Sequence, residues 1–202
     1  MIPVKPSQMI RLLVLLLATA AASPAAPPAA TPAATSTNPG LAAAVPPPPP
    51  ESSDCLPTGD GYLRARLAGA LEARIDWPNA GTVCQGESKT DPDGVRMSFK
   101  RSRSGKPNLL FLFGLTGVRE GAPARNSGVN LTLIVQGTPR IYGTLGDARC
   151  TVDSLTQTPL KPAHSFRVEA RGFCTQPAHA VHGDGDVLVS TFEFAGRVDY
   201  GD

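Results

Sequence analysis

Asn108–Leu115, NLLFLFGL, is the stretch whose reading decides the fold, together with Val129–Val135, VNLTLIV. Both runs are apolar, short and rich in β-formers, which argues for strands rather than helices. The segment between them, Thr116–Gly128, is full of Gly, Pro, Arg and Asn. Two core strands joined by a long exposed loop follow from that pattern. Loops on rigid β scaffolds commonly carry recognition, which makes this loop a first candidate for binding.

Moving outward, Val95–Arg101 alternates Val95, Met97 and Phe99 with Arg96, Ser98 and Lys100, a half-exposed strand. Ser165–Phe173 and Val187–Val198 alternate in the same way, and Arg140–Leu145 and Cys150–Thr158 read as two further strands. Asp60–Trp77 alternates as well, with Leu63, Ala65, Leu67, Leu71, Ala73, Ile75 and Trp77 on one parity. Leu63, Leu67, Leu71 and Ile75 also fit a helix. The unbroken alternation and Gly69 in mid-window favour a strand with a bend. Asp91–Gly94, DPDG, is a turn signal. The expectation is an all-β domain, an antiparallel sandwich or partly open barrel of about 8–10 strands.

The N-terminal part is a different kind of sequence. Lys5 and Arg11 precede the aliphatic run Leu12–Leu17 and the small residues to Ala22, the pattern of a secretory signal peptide over residues 1–22. The apolar run is shorter than the roughly 20 residues of a membrane span. Residues 23–53 form an Ala/Pro-rich linker ending in five prolines, Pro46–Pro50, before Glu51. Such a composition predicts disorder and a spacer role. Residues 54–202 then make up the single β domain.

Charge excludes one class of partner. Of 19 Lys and Arg, Lys5 and Arg11 precede Glu51, which leaves 17 against the chain's 17 Asp and Glu. A formally neutral domain lacks the basic footprint of a nucleic-acid binder. Strand count alone would suit an outer-membrane barrel. Charged residues on the alternating faces, the Pro-rich stalk and the lack of aromatic girdles argue against an integral membrane protein.

All four cysteines, Cys55, Cys84, Cys150 and Cys174, fall in the β domain. An even count behind a signal peptide predicts two disulfides in a periplasmic or extracellular compartment. Three pairings are possible, and the shorter loops favour Cys55–Cys84 with Cys150–Cys174. Each loop is worth about 3 kcal/mol by chain entropy.

Two clusters are candidate sites. His164, His179 and His182, the chain's three histidines, with Asp184 and Asp186 offer ligand types for a metal ion. Their spacing matches no established ligand motif. Lys100, Arg101, Arg103 and Lys106 in KRSRSGK, backed by Arg96, offer a basic surface for an anionic envelope component or an acidic protein. No catalytic motif appears, and no cofactor is implied. The Ala/Arg/Gly/Pro-rich composition resembles exported proteins of GC-rich bacteria, a likeness that implies no activity. The sequence therefore reads as an exported, non-catalytic binding domain, an inhibitor being one form of it. The alternative is a secreted metal-assisted hydrolase built on His179, His182, Asp184 and Asp186.

Overall fold

The computed structural model describes residues 54–90, 93–101 and 108–201, and among these described residues it has eleven strands and no helix. The expected signal peptide, the linker, Arg103 and Lys106 lie outside the described residues. In chain order the strands are β1 Tyr62–Gly69, β2 Ala73–Pro78, β3 Thr82–Thr90, β4 Asp93–Arg101, β5 Leu109–Thr116 and β6 Ser127–Val135. They continue with β7 Ile141–Gly143, β8 Cys150–Pro159, β9 Ser165–Cys174, β10 Ala178–Ala180 and β11 Asp186–Asp199.

The strands form one sheet that folds onto itself in two layers. One layer runs β3–β4–β5–β6–β7–β10, and the other runs β2–β1–β11–β9–β8. Pairing is antiparallel except at Asp199↔Glu87, where β11 meets β3 in parallel. That contact and the β6–β8 pairs Ser127↔Val152 to Val129↔Cys150 close a hydrogen-bonded ring around the core. The all-β expectation holds, in a form between sandwich and barrel.

The quoted stretch explains the core. On β5, Leu109, Phe111, Phe113 and Leu115 are fully buried, and β6 answers with Val129, Leu131 and Leu133. Phe113 stands 5.1 Å from Phe192 and 5.0 Å from Phe194 of β11, and Phe99 stands 5.2 Å from Phe194. These rings from opposite layers fill the interior at tilted angles, an arrangement aromatic quadrupoles favour. At the seam, glycine allows close approach. A Cβ on Gly86 would lie 2.5 Å from the Arg197 carbonyl oxygen, and one on Gly196 would lie 2.7 Å from Met97 Cε.

Several expectations need correction. Asp60–Trp77 is two strands, because the chain reverses after Gly69, whose φ of 105° suits only glycine. Ala178–Ala180, which the alternation does not mark as a strand, forms the short β10, so the count rises above ten. The β5–β6 connection is exposed over most of its length, as expected, and it is also tied down. Val118 is buried, Ala124 and Leu155 exchange backbone hydrogen bonds, and Gln157 Nε2 donates to the carbonyls of Arg119 and Ala122.

Both disulfides pair as the short loops suggested, Cys55 with Cys84 and Cys150 with Cys174. Cys150 and Cys174 are also direct cross-strand partners on β8 and β9. Two closed disulfides and no free thiol among the described residues are consistent with an oxidising compartment.

Candidate functional site

The histidines separate into two places. His179 on β10 is the register partner of Asp186 on β11, and its Nδ1 lies 2.6 Å from Asp186 Oδ1. His182 and Asp184 are exposed in the loop between these two strands. His164 belongs to the β8–β9 connection, where Nδ1 lies 2.8 Å from Glu120 Oε1 and its carbonyl accepts from Tyr200 N–H. Of the five ligand candidates the structure joins only His179 and Asp186. No group of three or more His, Cys, Asp or Glu suited to a metal occurs among the described residues.

The basic cluster is also divided. Arg96 reaches Glu87 Oε1 at 3.4 Å on the exposed outer face. Arg101 donates through Nη1 to the Ala80 carbonyl at 3.3 Å and to Thr82 Oγ1 at 3.2 Å, so it fastens the β2–β3 connection. Lys100 makes neither an ion pair nor a side-chain hydrogen bond among the described residues, and it faces a cleft.

That cleft, about 860 Å³, lies on the outer surface of β3, β4 and β5. Val83 and Gln85 of β3, Ser98 and Lys100 of β4, and Leu110 and Leu112 of β5 contribute to its lining, and Arg197 and Asp199 border it. The loop around Asp54–Gly59 forms one wall and is held in two ways. The Cys55–Cys84 disulfide pins it to β3. Asn79 cross-braces it, accepting from Leu56 N–H at 2.8 Å and Gly61 N–H at 2.9 Å while donating to the Leu56 carbonyl at 3.0 Å. A wall so fixed needs little ordering when a ligand arrives, which favours binding.

Beyond the loop, Asp60, Tyr62, Arg167 and Glu169 form a polar network. Arg167 Nε lies 2.6 Å from Asp60 Oδ2, in an orientation that leaves this nitrogen without a hydrogen-bond partner. Arg167 Nη1 donates to Glu169 Oε2 at 2.7 Å, and Tyr62 OH donates to Glu169 Oε1 at 3.0 Å. The Arg167 hydrogen bond, aided by that from Tyr62, holds the Glu169 carboxyl below its ordinary value despite partial burial. Burial and the neighbouring carboxylate push the Tyr62 phenol up to about 12. These shifts favour a charged acid and a neutral phenol at neutral pH, the states that make the strongest bonds here.

Leu110 and Leu112 are the residues the sequence reading assigned wholly to the core. Their signal was present: NLLFLFGL has leucines on both parities. A strand with one wet face should alternate, so a leucine on each parity marks an outward apolar surface.

No known family, curated protein or solved structure matches the chain. Among the described residues no helix is long and apolar enough to cross a membrane.

Proposed function

We propose that the chain is an exported, non-catalytic binding domain, and that its cleft receives an extended, acidic segment of an envelope protein. One observation carries this reading. The outward register row Val83, Lys100, Leu110, Ile134 and Ile141 is apolar at every position except the lysine. An outer sheet face usually carries polar side chains, and the contiguous apolar run Leu110, Ile134 and Ile141 marks an interaction surface. Exposed Leu145 and Val181 extend the apolar character of this side of the molecule. Lys100 and the basic run that begins there supply attraction for an acidic partner and weaken it with salt.

The cleft offers a lysine, an Arg197–Asp199 pair, amides and hydroxyls around leucines. That is the chemistry of recognition, with apolar anchors and a few orienting polar groups. Affinity capture from envelope extract tests it, using the intact chain, Leu112→Glu and Lys100→Ala. The expected result is recovery of an acidic protein, lost with Leu112→Glu and reduced at least several-fold with Lys100→Ala, while circular dichroism is unchanged. Equal recovery by folded Leu112→Glu removes the cleft from the account.

A further inference from the structure

The opposite outer face carries a different feature. Across β11, β1 and β2, one outward row joins Glu193, Arg64 and Asp76, and Arg171 of β9 extends it. Signs alternate along that row, and Arg64 Nε reaches Asp76 Oδ1 at 3.2 Å. The next row breaks the rule. Arg66 of β1 stands directly opposite Arg74 of β2, with Thr191 of β11 on its other side. Neither guanidinium makes an ion pair or a side-chain hydrogen bond among the described residues. Like charges directly opposite on a sheet are unfavourable, so this pair works against the fold.

A second observation falls at the same place. The β1–β11 register shifts between Arg66 and Leu67, where Thr191 and Val189 are successive partners and Ser190 is the extra residue. Bulges re-aim side chains and recur beside binding sites. Third, an open groove of about 250 Å³ lies here, bordered by Arg66, Arg74 and Thr191, with Asp76 and Glu193 toward the balanced row.

We propose that Arg66 and Arg74, with the Thr191 hydroxyl, bind a single phosphate group. Opposed residues place two guanidinium forks about 5 Å apart at their roots, within reach of one tetrahedral oxyanion. One fork satisfies a carboxylate, whereas a phosphate presents oxygens to both. The flanking row of Arg171, Glu193, Arg64 and Asp76 is charge-balanced and adds no attraction for a longer polyanion. The phosphate comes from a lipid headgroup or from a soluble phosphate. Phe173, 37 % exposed on this same face, is an apolar neighbour of β11 that a lipid would use.

The test uses the intact protein in two arms. Inorganic phosphate is compared with chloride at equal ionic strength by melting temperature, and phosphatidylglycerol vesicles are compared with phosphatidylcholine vesicles by co-sedimentation. A rise specific to phosphate, or sedimentation specific to the anionic vesicles, is expected and names the source. Arg66→Gln/Arg74→Gln should abolish that response while its ligand-free melting temperature stays equal or rises, because the repulsion is gone. Arg171→Gln, on the balanced row, should keep the response. No phosphate or vesicle response, a response retained by the double variant, or one lost equally in Arg171→Gln overturns the proposal.

Discussion

Among single residues, Tyr62 and Tyr200 give the clearest solution signature. Burial, with the Glu169 hydrogen bond and charge, holds the Tyr62 phenol up at about 12. Burial, with the charge of Glu120, likewise holds Tyr200 up at about 12, and its hydroxyl donates to Gln157 Oε1 at 2.8 Å. A folded-state value above the unfolded 10.0 means the protonated phenol is favoured by folding. The stability gained is therefore complete below pH 10 and disappears as pH rises from there toward 12. An absorbance titration at alkaline pH should show Tyr62 and Tyr200 ionising late, and Tyr62→Phe should remove one late step. Ionisation of both near the unfolded value would contradict the burial described. Asn79 illustrates a different residue-scale point. A turn asparagine in the sequence looks interchangeable with many others, yet its side chain makes three hydrogen bonds that fix the cleft wall, and no local pattern announces them.

Single elements show why some of the fold was legible and some was not. β5 and β6 were readable because each carries more apolar residues than a turn or surface helix tolerates. The β1–β2 reversal was not readable from periodicity. Leu67 pairs with Ala73, and Leu63 with Trp77, so partners share parity and the alternation passes through the turn undisturbed. Only Gly69 marked the place, and it was read as a bend. The phosphate candidate was hidden for a related reason. Arg66 and Arg74 are far apart in an extended strand and become neighbours only once the hairpin register is known. The strand seam supplies a prediction of its own. Gly86 of β3 packs against the backbone of β11, so Gly86→Ala should cost about 1–3 kcal/mol through forced separation of the strands. Urea denaturation measures this, and a change near zero would mean the seam opens freely.

For the molecule as a whole, stability rests on the aromatic interior more than on surface charge. The surface ion pairs are exposed, and such pairs contribute little each. Phe113 meets four other rings: Phe99, Phe111, Phe192 and Phe194. Phe113→Ala should therefore lose about 3–5 kcal/mol, a lost transfer contribution plus a cavity between the layers. Chemical denaturation gives the figure, and a loss below about 1 kcal/mol would show that the layers collapse to fill the gap.

The long strand β11 pairs with β1, β3, β9 and β10, partners drawn from the whole described length. Tyr62 and Ala195, more than a hundred positions apart, lie side by side. Contacts of that span make folding slow. A chain that stops before Phe192 lacks the β11 pairs with β9 and β3 and has no ring to close. The export proposed above fits such a molecule, because its ring cannot close until β11 has emerged.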